Sequence, residues 1–310
     1  MRLGISVTSS YSANGGMTGP DAVRTVIERT RAAAAARLDH LSLGDHHSVG
    51  HSAHYVQNVP MIGRLMAEWP ADRPIGVLFL LPLWNPVLAA EQVGTLACMT
   101  EAPFIVQTGI GAGRSQFAGM GHALAERGRK TDAAIDIMRR LFAGEVIDDE
   151  RLGLQGAAIS PRPPRPVEWW IGSGSGDVPL ERAARQGDAW YVSPGESAPE
   201  LAEGIGRYRE RCAAQGARPR VALRRDIFVA DDDAEAIATG KALAAAGYRG
   251  MREEVLVFGG VERVVELLAP FAELGVDDIV ARTMSVEPSK AVRSVELLGE
   301  VREHLAALRS

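Results

Sequence analysis

Two patterns of apolar and polar residues alternate along the chain. Short apolar runs end in Gly, Asp or His, and each is followed by a longer amphipathic stretch. The segment Ile75–Glu145 shows both patterns twice: the runs IGVLFLLP and FIVQTG are separated by NPVLAAEQVGTLACM, and a long amphipathic stretch after GIGAG ends at Leu141-Phe142. The runs predict strands and the amphipathic stretches predict helices. Because strands and helices alternate, the predicted sheet is parallel.

The same alternation extends along the whole chain. The predicted strands are Leu3–Val7, His40–Leu43, Ile75–Pro82, Phe104–Gly109, Val167–Ile171, Asp188–Val192, Arg220–Ala230 and Val276–Ala281. The predicted helices include Asp21–Arg37, Val59–Trp69, Val178–Gly187, Glu200–Gln215, Ala234–Ala246, Val261–Leu274 and Ser289–Leu308. The segment 248–258 fits neither pattern.

Eight strands with about as many helices predict an α/β fold, a (β/α)8 TIM barrel. We expect residues 1–310 to form one such domain. Residues 144–166 contain several prolines and little periodicity, so they predict an insertion between the fourth and fifth βα units. An open, doubly wound sheet is the alternative.

Composition narrows the functional classes. The formal charge of −5 argues against a general nucleic-acid binder, and no apolar run is long enough to span a membrane. The first residues, MRLGISV, lead straight into a strand without a signal-peptide pattern. The two cysteines, Cys98 and Cys212, lie in helical patterns and favour reduced thiols. A cytoplasmic location is therefore expected.

Candidate chemistry first appears where the second strand ends, at Asp45-His46-His47. The carboxyl ends of the strands form the active-site face of a TIM barrel, and a histidine there can act as an acid or base near neutral pH. Two further histidines, His51 and His54, suggest a metal-dependent hydrolase as an alternative. All four lie in one loop without matching carboxylates, so we expect no metal site.

A glycine-rich turn follows the fifth strand and opens a helix. Backbone N–H groups at a helix start bind phosphate, and glycine lets the backbone approach it closely. The sequence therefore predicts a phosphate site. Its residues are Gly172, Ser173, Gly174, Ser175 and Gly176.

A second glycine turn, Gly109 to Gly113 with Gly111 at its centre, follows the fourth strand. Its small residues leave room for a planar ring, and Gln107 and Thr108 are placed to bond the edge of that ring. Trp190 after the sixth strand and Trp84 after the third are candidate aromatic walls.

Together these motifs make the chain resemble the bacterial-luciferase-like superfamily of flavin- and deazaflavin-dependent oxidoreductases. The resemblance covers nearly the whole chain and rests on the shared order of its segments. These are GDHH (Gly44–His47), LPLWNPVLAAEQVGTL (Leu81–Leu96), QTGIGAG (Gln107–Gly113), ERGRKTDAAIDIMRRLFAGE (Glu126–Glu145), WWIGSGSGDVPLERAARQGDAWYV (Trp169–Val192) and FGGVERVVELLAPFAELGVDDIV (Phe258–Val280).

The resemblance implies a flavin-type ring at the carboxyl ends of the strands, with its phosphate on Gly172–Gly176. It implies that His46 is the family's acid–base histidine and that Asp45 touches the ring. It also implies a non-prolyl cis peptide behind the ring near Val77-Leu78. A reduced FMN would oxygenate a small organic substrate, whereas the deazaflavin coenzyme F420 would exchange a hydride with it.

Departures from the family pattern bear on the cofactor. FMN-using luciferases have an arginine in the turn where this chain has Ala112, which mildly favours the deazaflavin. Residues 100–104 and Ala133 also differ from the usual pattern. The resemblance further implies a homodimer and, for FMN, a separate flavin reductase. A flavin-binding protein without turnover is the second alternative, and we expect the loops 9–19, 50–57 and 144–166 to contact the substrate.

Overall fold

Eight parallel strands form the centre of the computed structural model, which describes residues 1–8, 11–12, 16–51 and 53–308. The strands are β1 (Arg2–Ser6), β2 (Leu41–Leu43), β3 (Ile75–Leu80), β4 (Ile105–Gly109), β5 (Glu168–Ser173), β6 (Ala189–Val192), β7 (Val221–Val229) and β8 (Asp278–Thr283). Each pairs with the next in chain order, and β8 pairs with β1. The ring is therefore closed. This confirms the barrel and makes the open sheet wrong.

Helices surround the barrel. They are α1 (Gly19–Ala35), α2 (Asn58–Leu65), α3 (Pro86–Ala97), α4 (Arg114–Gly119), α5 (Arg127–Ala143), α6 (Asp177–Gln186), α7 (Ala198–Ala214), α8 (Asp233–Ala245), α9 (Val261–Leu274) and α10 (Pro288–Ala307). The single long helix predicted after the GIGAG turn is wrong. Gly121, with φ of 71°, follows the short α4, and α5 starts only at Arg127. Within the described ranges, no helix is both long and apolar enough to cross a membrane.

The predicted insertion between the fourth and fifth units is present. Gly144 ends α5 in the left-handed conformation, with φ of 90°. An antiparallel hairpin of Ile147–Asp149 and Leu154–Ala157 follows. The segment 248–258 forms two 3-10 turns, and a short strand, Val257–Gly259, then pairs with the end of β7. Two of the loops expected to contact the substrate are only partly described. Residues 9–10 and 13–15 of the loop 9–19 and residue 52 of the loop 50–57 lie outside the described part of the chain.

Side chains on each strand alternate between the helices outside and the barrel interior. Outward residues such as Ile5, Val77 and Phe79 are fully buried against the helices. Trp170 lies inside the barrel, edge-on to His40 with ring centroids 5.2 Å apart. Gly4 is required beside this imidazole, because a Cβ there would lie 2.0 Å from His40 Nδ1.

An ion-pair network closes the amino-terminal end of the barrel. Asp278, which is completely buried, lies 2.6 Å from Arg2 Nε and 3.3 Å from Arg220. Arg220 also lies 3.2 Å from Glu168. These four side chains come from β1, β5, β8 and the residue before β7, so the network ties together strands that are distant in the chain.

Candidate active site

Asp45 lies at the carboxyl end of β2 and holds the neighbouring strand exit in place. Its Oδ2 accepts hydrogen bonds from the Leu80 backbone N–H at 2.8 Å and from the Trp84 indole N–H at 2.7 Å. Its Oδ1 lies 2.9 Å from His47 Nε2. Asp45 is 3 % exposed, and its Oδ2 is used by these two hydrogen bonds, whereas its Oδ1 has only the ion-pair contact with His47. Asp45 therefore positions the exit of β3, and its predicted contact with the cofactor ring stays a prediction.

His46 points to the other side of the loop and is half-buried. Its ring stacks at a tilt on Tyr55, with centroids 4.1 Å apart. Burial lowers the pKa of His46 to about 4, and the positive charges of Arg282 and Arg249 add to this effect. At neutral pH the imidazole is therefore unprotonated and can accept a proton.

Three arginines surround one carboxylate on the same side of the barrel. Asp226 Oδ2 lies 2.9 Å from Arg282 Nη1 and 3.5 Å from Arg249 Nε, and its Oδ1 lies 3.5 Å from Arg224 Nε. The Tyr248 hydroxyl also donates to Oδ2, at 3.0 Å. Burial alone would raise the pKa of Asp226, but the three guanidinium groups outweigh it and the pKa is lowered.

No sequence motif predicted this arginine cluster, which we define as Arg224, Arg249 and Arg282 around Asp226. Arg224 and Asp226 are two positions apart on β7, and Asp226 is in register with Arg282 on β8. Charged residues at this spacing inside an apolar strand are the signal that could have revealed them. Arg249, in an irregular segment with φ of 52°, has no such signal.

Gln107 lies on the inner face of β4, in register with Leu78 and Trp170. It is 1 % exposed, and its Nε2 has no hydrogen-bond partner among the described residues. An unpaired buried donor is costly and suits a ligand that supplies the acceptor. Leu78 and Leu80 remain half-buried beside it and provide an apolar surface. This arrangement fits the polar edge and flat face of a flavin-type ring.

Not every other predicted ring contact faces this surface. Val77 points outward and is fully buried, and the only cis peptide among the described residues is Ser160–Pro161, so the predicted cis bond at Val77-Leu78 is wrong. The Thr108 hydroxyl accepts the Gly172 N–H at 3.3 Å. The space over Gly109 is filled by Leu80, and Gly111 serves the turn with φ of 67°.

Trp190 is also not where the sequence analysis put it. It lies within β6 and is fully buried on the outer side of the barrel. Its ring packs against Tyr208 of α7 with centroids 5.6 Å apart, and its indole N–H donates to the Ser173 carbonyl at 3.2 Å. The alternation along β6 turns Tyr191 inward instead.

The turn Gly172–Gly176 already holds a negative charge. The backbone N–H of Ser175 donates to Glu196 Oε1 at 3.2 Å, and its hydroxyl donates to Oε2 at 3.0 Å. Gly172 is needed because a Cβ there would lie 2.0 Å from the Thr108 carbonyl oxygen. The turn therefore binds a carboxylate in the way predicted for a phosphate, but that carboxylate belongs to Glu196 of the same chain.

A cavity of about 1100 Å³ opens beside the exit of β3. Its wall runs from Pro82 and Trp84 across Lys130 of α5 to Leu152 of the insertion. This volume is ample for a drug-sized ligand. The insertion therefore takes part in a cavity next to the Asp45-bound strand exit.

Among the residues that the structure describes, no three His, Cys, Asp or Glu side chains converge as a metal ion would require. His46 and His47 point to different partners, Tyr55 and Trp84. His54 contacts the Met17 carbonyl oxygen at 2.9 Å. The metal-dependent hydrolase has no ligand set in this part of the chain.

Comparison with known proteins assigns the chain to a family. A family model described as luciferase-like monooxygenase matches residues 1–294. The F420-dependent glucose-6-phosphate dehydrogenase of Tsukamurella paurometabola is 26 % identical over 199 residues, which are 60 % of this chain and 57 % of that protein. The match to other curated relatives spans 40 % of their length.

Solved structures share the fold at low identity. Monooxygenase RslO1 from Streptomyces bottropensis has a TM-score of 0.83 at 16 % identity over 100 % of both chains. An F420-dependent secondary alcohol dehydrogenase, solved with an F420–acetone adduct, has a TM-score of 0.78 at 17 % identity over 97 % of both. The FMN-bound oxygenating constituent of 3,6-diketocamphane monooxygenase from Pseudomonas putida has 0.75 at 15 % identity over 98 % of both.

Proposed function

Because the chain belongs to the luciferase-like monooxygenase family, we propose that it is an oxidoreductase that binds a reduced flavin or deazaflavin non-covalently at the carboxyl ends of its strands. The observation that supports this most is the unpartnered Gln107 Nε2 beside the half-buried Leu78 and Leu80. A buried donor next to an apolar wall suits a ring with a polar edge and a flat face. We favour the deazaflavin F420, because Ala112 stands where FMN-using luciferases have an arginine.

The bound cofactor supplies the redox chemistry: a reduced flavin reacts with O2, and a deazaflavin exchanges a hydride. The protein binds and orients it. Gln107 Nε2 would donate to the ring edge, while Leu78 and Leu80 would exclude water from one face.

His46 moves the proton. Its pKa of about 4 means that it is unprotonated when substrate arrives at neutral pH. A substrate hydroxyl or acidic C–H group can therefore lose its proton to an imidazole nitrogen of His46. Hydride removal from a substrate alcohol would require the oxidised deazaflavin as the hydride acceptor, and the hydroxyl proton would then pass to His46.

The phosphate of an FMN-type cofactor would compete with Glu196 for the Ser175 donors. Glu196→Gln removes that negative charge, and we expect FMN to bind about tenfold more tightly. Riboflavin, which lacks the phosphate, should bind equally to both proteins. If Glu196→Gln leaves FMN affinity unchanged, the phosphate does not lie on this turn.

Calorimetric titration with F420 and with FMN tests the proposal. We expect saturable binding, tighter for F420. Gln107→Leu should weaken binding of either cofactor about tenfold, since it removes one buried hydrogen bond. Gln155→Leu, on the exposed hairpin, is the matched control. A protein that binds neither cofactor would refute the proposal.

His46→Gln separates an enzyme from a carrier without turnover. With cofactor bound, the variant should keep its affinity but lose roughly 100-fold or more in turnover, as expected for loss of a general base. Unchanged turnover would remove His46 from the mechanism. A homodimer, a cytoplasmic location and, if FMN is used, a separate flavin reductase stay predictions.

A further inference from the structure

We propose that the arginine cluster binds an anionic group, a phosphate or carboxylate, of the substrate that reacts beside His46. This inference rests on the proposed function, since it names the substrate class of the same site. Arginine is the side chain best suited to such groups, because its planar N–H donors match two oxygens at once.

The arginine cluster has unbalanced positive charge. Three guanidinium groups converge on one carboxylate, so the cluster has two positive charges in excess. Asp226 is the only carboxylate that forms an ion pair with any of them among the described residues. Asp45, the acid next to His46 in the chain, contacts Leu80, Trp84 and His47 instead. Unbalanced positive charge in a partly buried site favours an anionic ligand.

Two of the three arginines have N–H donors available. Arg282 is 2 % exposed and is used internally, because it donates to the Thr8 carbonyl and to Asp226. Arg224 and Arg249 keep 19 % and 29 % of their side chains exposed and pair with Asp226 only at 3.5 Å. The Arg224 Nε atom has no hydrogen-bond partner in the described part of the chain. These two arginines therefore have N–H groups left for a ligand.

The cluster lies within electrostatic range of the proposed proton acceptor, because the charges of Arg282, Arg249 and Arg224 all lower the pKa of His46. A substrate anchored by Arg224 and Arg249 would hold a neighbouring carbon centre against the imidazole. The cluster thus orients the substrate, while His46 takes its proton.

Calorimetric titration of the cofactor-free protein with inorganic phosphate, at fixed ionic strength, tests the site directly. We expect saturable binding that Arg249→Gln and Arg224→Gln each weaken about tenfold. Arg249→Lys should recover part of it, because it restores the charge without the planar donors. Arg218→Gln is the matched control, since Arg218 is exposed in the loop that leads into the other end of β7.

Titrations with FMN and with riboflavin distinguish binding of a substrate phosphate from binding of the cofactor phosphate. If the cluster serves the substrate, both variants bind FMN and riboflavin as the wild-type protein does. Weaker binding of FMN alone would assign the cluster to the cofactor and overturn the proposal. So would a wild-type protein that binds no phosphate, or variants that bind it normally. None of the phosphate titrations needs the cofactor, so failure of cofactor binding is a distinct result.

Discussion

His46 shows how much a side chain's surroundings decide its chemistry. The sequence places a histidine at a strand end, but it does not give its protonation state. In the structure, burial and then the charges of Arg282 and Arg249 lower its pKa to about 4. The imidazole is consequently neutral throughout the physiological range.

The His46 pKa predicts a dependence of stability on pH. Between pH 6.5 and about 4 the unfolded chain binds a proton at this position that the folded chain does not, so the free energy of unfolding falls as pH drops through that window. His40, with a pKa also lowered to about 4 by burial, contributes in the same direction. Urea denaturation across this range should show a shallower fall for His46→Gln. Equal slopes in the two proteins would mean that His46 titrates normally.

Asp45 is predicted to act on structure rather than on ligand. Asp45→Ala leaves the Leu80 and Trp84 N–H groups without their acceptor and should cost about 3 kcal/mol of unfolding free energy. Asp45→Asn keeps an oxygen for both donors and should cost much less. Denaturant unfolding measures the difference, with Asp72→Ala on the surface as control. A direct ring contact would instead make both variants weaken cofactor binding while stability stays constant.

At the scale of elements, the approach of β5 to β4 depends on glycine. The sequence analysis assigned Gly172 to phosphate binding because glycine lets a backbone approach a ligand. The structure shows that Gly172 instead approaches the backbone of β4, since the Thr108 carbonyl lies where a Cβ would be. One glycine pattern can therefore arise from ligand approach or from strand packing, and only the fold distinguishes them.

Gly172→Ala should therefore destabilise the protein by about 2 kcal/mol or more, because the clash is with backbone that cannot rotate away. Gly206→Ala, at an exposed position of α7 with nothing within 4 Å, should stabilise it by about 1 kcal/mol. Thermal unfolding of the two variants provides the test. A neutral Gly172→Ala would show that β4 and β5 are further apart than this.

Element types were mostly predictable, and their alternation was enough to predict the barrel. The period of apolar residues gave the strands within a few residues, because burial on both faces leaves a clear apolar run. The site was less predictable. The direction of Trp190, the Glu196 contact and the position of Arg249 depend on strand register and loop path, which local patterns do not encode.

At the scale of the whole molecule, two groups of charged side chains lie at opposite ends of the barrel. Asp278 with Arg2 and Arg220 closes the amino-terminal end, while Asp226 with its arginines lies toward the carboxyl ends. Both groups have members on β8 and on or next to β7, but they share no side chain. Stability and ligand binding should accordingly respond to different substitutions.

Asp278→Ala tests this separation. Loss of a fully buried carboxylate that pairs with two arginines should lower the unfolding free energy by about 3 kcal/mol. Cofactor and phosphate affinities of the protein that remains folded should be unchanged. Glu300→Ala, on the exposed side of α10, is the control. A matching drop in affinity would show that the two ends are coupled.

The position of Trp84 beside Asp45 predicts how the fluorescence of the protein responds to a ligand. The other four tryptophans, at positions 69, 169, 170 and 190, are buried, whereas Trp84 keeps partial contact with solvent and lines the cavity beside the β3 exit. Its emission spectrum should consequently respond most to whatever enters there. Ligand binding in this cavity can therefore be followed by Trp84 fluorescence in an unlabelled sample.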